Sequence, residues 1–247
     1  MQGIKRWMGP LMAVLAAVCL TLGAAADEAA RGSSKDSDQM QEFREFSPLV
    51  TNGGVNPDGE ISAKALEETL AAKTMGVTGE IVYVRFLNGR YVDTATLDLV
   101  RTVAQTTENR VILQIDTSDV NEDIQGKIVI EPAALADNGE TLKTGVYLDW
   151  AKTKKVSDLF EGWFDNQLKV IALDQQADFA SRLKISAKVK LGRMNKASLR
   201  LYSYNEQANT YKEITDPDYT VSDDGYLSFY TKQAGYIIVT DKALTKK

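Results

Sequence analysis

"EIVYVRFLNGRYVDTATLDLVRTVAQTTENRVILQID", residues 80–116, decides how the first half of this chain folds. Its two ends, Glu80 to Phe86 and Arg110 to Asp116, are short runs rich in β-branched and aromatic residues, which fit the pleated surface of a strand. Between them Leu97, Val100 and Ala104 recur near helical spacing, behind Asp93, a residue type that caps helix N-termini. Strand, helix and strand in that order predict a right-handed crossover between parallel strands.

Upstream, "ISAKALEETLAA" from Ile61 repeats the pattern 31 residues earlier, with Ser62 in the place of Asp93 and Leu66 in the place of Leu97. Leu70 and Met75 extend its apolar stripe. Residues 61–116 therefore read as αβαβ. Two copies are too few for a solenoid, so a small α/β layer is expected. At the head of this stretch Asn56, Pro57, Asp58 and Gly59 resemble a calcium loop. With Gly54 as the first position and Ala65 as the twelfth, two of the ligands such a loop requires are absent, and a turn followed by a Ser62 helix cap accounts for the residues better.

Downstream, the texture changes from Lys127. "KIVIEP", "TGVYLDW", "KVIALDQ", "RLKISAKVKL", "SLRLYSYN", "TYKEIT", "GYLSFYT" and "GYIIVTD" read as short strands separated by turns. In "RLKISAKVKL", Leu183, Ile185, Ala187, Val189 and Leu191 alternate with Lys184, Ser186, Lys188 and Lys190, the mark of a strand with one dry and one wet face. Asp224-Gly225 signals a hairpin. One helix interrupts the strands, with Val156, Leu159, Phe160, Trp163 and Phe164 on one face. The expected fold is α+β: a small βαβ-like part at 46–118, then a mainly antiparallel β-sandwich-like part at 119–247 with one inserted helix.

The N-terminus reads as an export signal over residues 1–26, with Lys5 and Arg6, an apolar run from Met8 to Leu22 and Ala24-Ala25-Ala26 for cleavage. A polar leader at 27–45 follows, without apolar periodicity. Cys19, the one cysteine, is preceded by Val18 where a lipoprotein signal wants a small residue, so no lipid anchor is expected. The formal charge of −5 includes Lys5 and Arg6, so the exported chain carries −7, and it has neither cysteine nor histidine. Disulfides are excluded, and nucleic acid is not an expected partner of so acidic a chain.

The absence of histidine also removes Ser-His-Asp and Cys-His catalysis and the usual zinc sites. Ser181-Arg182-Leu183-Lys184 and Lys143-Thr144-Gly145 match fragments of the penicillin-binding set, but in reversed chain order. No catalytic, cofactor or metal residue is assigned. Of ten tyrosines, seven follow residue 200, and Tyr202, Tyr204 and Tyr211 form the candidate ligand-contact face. The competing reading is that tyrosine is a strand former packed against its neighbours.

"FEGWFDNQLKVIALDQQADFASRLKISAKVKL", "LRLYSYNEQANTYKEITDP" and "DGYLSFYTKQAGYIIVTDKAL" resemble uncharacterised secreted and cell-surface proteins of Gram-positive anaerobic bacteria. The resemblance implies export and an envelope or extracellular setting, and it carries no functional residue. The resulting expectation is a secreted or surface-located, non-enzymatic binding or structural module without a cofactor, whose partner is a cell-wall glycan or a surface protein. The alternative is a polysaccharide hydrolase built on two carboxyl groups.

Overall fold

The computed structural model of the chain describes residues 49–50, 55–74, 78–79, 81–119, 121–136 and 139–247. The expected signal with Cys19, the expected leader, Gly54 and Met75 lie outside the described residues. Six elements come first: β1 (Leu49–Val50), α1 (Ala63–Thr74), β2 (Ile81–Leu87), β3 (Tyr91–Val92), α2 (Thr94–Thr106) and β4 (Arg110–Ser118). β2 and β4 are parallel, with Val84 opposite Leu113 and Phe86 opposite Ile115, and β1 joins β2 in parallel on its other side. The strand, helix, strand unit expected at residues 80–116 is present.

Both helices start where a polar side chain holds the first free backbone amides. The Ser62 hydroxyl accepts from Ala65 N at 3.3 Å, and the Asp93 carboxylate accepts from Thr96 N at 2.7 Å. Leu66 and Leu70 of α1, and Leu97, Val100 and Ala104 of α2, are buried in one cluster with Val82, Val84, Phe86, Leu113 and Ile115. The turn ahead of α1 needs no metal to account for it. Gly59 N donates to Asn56 O, Gly59 has φ +93°, and Asp58 is held by Glu60 N and the Tyr91 hydroxyl.

The remaining elements are β5 (Ile124–Ile130), β6 (Leu142–Lys143), β7 (Val146–Tyr147), α3 (Trp150–Trp163), β8 (Lys169–Leu173), β9 (Leu183–Lys188), β10 (Arg200–Asn205), β11 (Thr210–Glu213), β12 (Thr220–Val221), β13 (Tyr226–Thr231) and β14 (Tyr236–Thr240). A seven-stranded sheet runs β1-β2-β4-β5-β9-β13-β12, and a five-stranded one runs β11-β10-β14-β8-β7. β3 and β6 make a two-stranded ribbon. Beyond β4 all pairings are antiparallel. β4 and β5 pair across Ser118, so the seven-stranded sheet takes strands from both sides of that residue.

The two sheets share a core, in sandwich fashion. Ile128, Leu183, Ile185, Ala187, Leu227 and Phe229 of the larger sheet cluster with Ile171, Leu173, Leu201, Ile237 and Val239 of the smaller. All five apolar residues of the "RLKISAKVKL" alternation are buried, as its period requires. β7 of the smaller sheet passes close by Gly126 of the larger. A Cβ there would lie 2.4 Å from Val146 Cβ, so only glycine lets β7 cross at that point. The Asp224-Gly225 hairpin joins β12 and β13, with Gly225 at φ +90°.

Helix α3 begins six residues before the apolar face that announced it. Asp149 is its cap, accepting from Lys152 N at 3.0 Å, and the first turn opens with an exposed Trp150 that the sequence "TGVYLDW" joins to the preceding strand. Val156, Phe160 and Phe164 lie on the outer face of the five-stranded sheet, where they form a second cluster with Val170, Tyr202, Tyr204 and Ile238.

Candidate functional site

The expected tyrosine platform is a covered surface. Tyr202 and Tyr204 point away from the shared core, opposite Leu201, as strand alternation requires, but α3 lies over them. They are 6% and 3% exposed. The Phe160 ring stands edge-on to Tyr204 at 5.2 Å and Tyr211 packs edge-on to Phe164 at 5.4 Å, so these rings are spent on one another. Tyr211 keeps 37% of its surface open. The structure brings the three residues together as packing for a helix, which corrects the expectation of an open ligand-contact face.

The motif fragments also have structural duties. The Ser181 hydroxyl accepts from Ala136 N and donates to Ala134 O, and the buried Thr144 hydroxyl donates to Gly89 O at 3.0 Å. Lys143 shares an open hollow of about 560 Å³ with Arg90, Tyr91, Thr141 and Asp174. Asp174 is the one carboxylate among those residues. It accepts from the Tyr147 hydroxyl at 2.9 Å and lies 3.7 Å from the Lys152 ammonium. Burial, followed by that hydrogen bond, pushes Tyr147 up to about 12. Tyr91, which also lines the hollow, is pushed up to about 12 by its hydrogen bond to Asp58, and the same bond pulls Asp58 down. A glycosidase needs two carboxyl groups facing one bond, and this hollow offers one that is already engaged.

The other outer face of the sandwich is built differently. Strand alternation that sends Val82, Val84, Leu113, Ile115, Ile128 and Ile185 inward sends Tyr83, Arg85, Gln114, Asp116, Lys127 and Ser186 outward. None of the three described helices packs there, because α1 and α2 join the shared core and α3 joins the second cluster. Register lines the outward residues up across the strands. One row runs Asp116, Lys127, Ser186, Ser228 and Thr220, and the next runs Arg85, Gln114, Val129, Lys184 and Tyr230.

These side chains hold one another in place. The Tyr83 hydroxyl donates to Gln114 Oε1, Gln114 Nε2 donates to Asp116 Oδ1 at 2.6 Å, and Arg85 Nε donates to Asp116 Oδ2. Asp116 is wholly buried beneath its neighbours, and burial pushes its carboxyl up against the opposing pull of Arg85. The Lys127 ammonium lies 4.5 Å from the centre of the Tyr226 ring, whose hydroxyl donates to Ile124 O at 2.7 Å. Ser186 and Ser228 share a hydrogen bond of 2.7 Å. The Arg182 guanidinium lies 5.4 Å from the Tyr230 ring centre. A network satisfied this fully is rigid before any ligand arrives.

The alternation of "RLKISAKVKL" places Lys184, Ser186 and Lys188 on this side of their strand, where Lys188 is exposed, Lys184 half-buried and Ser186 buried. Arg85, Gln114 and Asp116 carry the same signal more faintly, each alternating with apolar neighbours in "IVYVRFL" and "VILQID". No protein-family model matches the chain, and no curated protein matches it.

Proposed function

We propose that the protein is an exported, non-enzymatic binding module of the cell envelope that holds a glycan against the outer face of its seven-stranded sheet. The observation that carries this reading is the pre-ordered polar array on that face, flanked by the rings of Tyr226 and Tyr230. Sugars present hydroxyl edges and apolar ring faces, so they are matched by fixed donors and acceptors beside aromatic rings. A protein partner would want a desolvated apolar centre, and the middle of this face is Gln114, Asp116, Lys127 and Ser186. Because the side chains are already hydrogen-bonded in place, binding costs little further ordering. Export rests on the N-terminal pattern of Lys5, Arg6 and the apolar run behind them.

The test is retention of the purified protein on isolated cell walls and on a panel of insoluble polysaccharides. Saturable retention is expected, and Tyr226→Ala/Tyr230→Ala should reduce it at least about tenfold, in line with the loss of stacked aromatic contacts. Trp150→Ala, which removes an exposed ring at the start of α3, should leave retention unchanged. Absence of retention, or dependence on Trp150 instead of the sheet tyrosines, would overturn the reading.

A further inference from the structure

The chain is acidic overall, with a formal charge of −5, yet the outer face of its seven-stranded sheet is basic. Its charged strand residues are Arg85, Arg110, Lys127, Lys184 and Lys188 against Asp116, while Glu131 just past β5, Asp123, Asp218 and Asp224 with Arg182 lie in the bordering segments. Both arginines are committed: Arg85 pairs with Asp116, and Arg110 makes a two-pronged pair with Glu131. The lysines have no such carboxylate partner, although Lys127 lies over the Tyr226 ring. Among the described residues neither Lys127, Lys184 nor Lys188 has a carboxylate within ion-pair distance, and Asp116, the carboxylate nearest in register to Lys127, already holds Arg85.

Register gathers these lysines around one point. Lys127 stands opposite Ser186 on β9, and Lys184 and Lys188 are the outward residues on either side of Ser186. Diagonal neighbours on adjacent strands lie about 7–8 Å apart at the backbone, within reach of one ligand group for side chains as long as lysine. Ser186, 6% exposed and hydrogen-bonded to Ser228, lies between them in register, and Tyr226 and Tyr230 stand on β13 opposite Lys188 and Lys184. Like charges so close repel when nothing lies between them. The Lys184 ammonium is pulled down by its burial and then by the charge of Lys127, a penalty an anion would relieve.

We infer that the glycan bound here is anionic and carries phosphodiester groups, one of which seats over Ser186 among Lys127, Lys184 and Lys188. This deepens the proposed glycan-binding function and rests on it. Phosphodiester is preferred to carboxylate because of the donors left free. Planar carboxylates are best met by the fork of an arginine; Arg110 gives its fork to Glu131 and Arg85 is held to Asp116 through Nε, so the cations gathered at this point are lysines. Ammonium groups and hydroxyls are point donors, which can surround a tetrahedral oxyanion from several directions.

The experiment measures retention of the whole protein on three materials: a glycerol-phosphate polymer coupled to beads, polygalacturonate, and a neutral insoluble glucan. The phosphodiester polymer should be preferred, with retention falling steeply as salt rises, because the attraction is between exposed charges. Lys127→Gln/Lys184→Gln should weaken it at least about tenfold, consistent with loss of two charge-assisted contacts. Lys127→Arg/Lys184→Arg, which keeps the charge, should retain most of the binding, and matching thermal unfolding midpoints would establish that both variants are folded. Preference for polygalacturonate, or retention on the phosphate polymer that ignores the glutamine substitutions, would overturn the inference. Salt-insensitive binding to neutral glucan that depends on Tyr226 and Tyr230 would overturn it while leaving glycan binding intact. Retention on none of the materials or on cell walls would overturn both.

Discussion

On the outer face of the five-stranded sheet, Val170, Tyr202, Tyr204 and Ile238 meet the underside of α3, whereas on the outer face of the seven-stranded sheet Arg85, Gln114, Asp116, Lys127 and Ser186 meet one another. The two faces belong to one sandwich and are made by the same alternation, so the difference lies in residue type alone. An apolar or aromatic outer face must be covered, because each large ring or branched chain taken out of water contributes about 1.5–3 kcal/mol. A polar outer face that satisfies its own hydrogen bonds needs no helix over it: Asp116, Gln114 and Ser186 are buried among their neighbours, and the longer Lys127, Lys184 and Lys188 side chains are left to meet a ligand. The tyrosine-rich sheet is therefore the structural one, and the sheet with the less conspicuous sequence carries the candidate site.

The largest expected effect comes from breaking the covered face. Phe160 is fully buried and its ring meets Trp163, Phe164, Tyr204 and Tyr211. Phe160→Ala should cost about 3–5 kcal/mol in a urea unfolding titration, from lost transfer energy and the cavity left behind. A loss under about 1 kcal/mol would mean that α3 does not pack on the sheet as described.

The uncovered face should respond next, and in a different manner. Asp116→Ala leaves Arg85 and Gln114 facing a hole without their acceptor, and should cost about 3 kcal/mol, the lower end of the range for breaking a buried pair. Replacing both partners, as Arg85→Met/Asp116→Leu, should recover most of that stability, since apolar groups of similar volume avoid the desolvation of two charges. If the double variant were as unstable as the single one, the pair would be holding the sheet together and not merely ordering its surface.

What could be read in advance follows the same division. The parallel β2-α2-β4 unit was legible because caps, helical spacing and β-branched runs are all local signals, and they agree. The burial of Tyr202 and Tyr204 was not, because alternation tells which residues share a face and not whether a helix 40 residues earlier in the chain returns to cover it. The start of α3 was hidden as well, since Asp149 and Trp150 continue the strand-like run "TGVYLDW". The rows across the seven-stranded sheet depend on register among β4, β5, β9 and β13, which pair residues far apart in the chain. Lys184, Ser186 and Lys188 could be assigned to a wet face from one strand alone, but their meeting with Lys127 and Tyr226 could not.

The smallest effects separate the two faces by pH. Tyr147 sits at the β7 edge of the five-stranded sheet, and its folded value of about 12 lies above its ordinary value of 10.0. The folded protein therefore keeps this proton where the unfolded chain has released it. That contribution to stability is complete below pH 10 and is lost as pH rises toward about 12. Asp116, on the opposite face, is an acid of the same sign in a lower range. Its carboxyl is raised on folding, so its contribution is complete below the ordinary carboxylate value of 3.8 and is lost as pH climbs through the folded value. Urea midpoints of Tyr147→Phe and Asp116→Asn, each subtracted from the parent protein across pH, should give two differences that change in separate windows. The Tyr147 difference should be flat until pH 10 and then shift in favour of the phenylalanine variant, and the Asp116 difference should shift in favour of asparagine from pH 3.8 upward. A Tyr147 difference that stayed constant between pH 10 and 12 would mean that neither the burial of Tyr147 nor its bond to Asp174 holds in solution. An Asp116 difference that moved the other way would mean that the Arg85 charge outweighs burial, making that face a more strongly ion-paired surface than its desolvation implies.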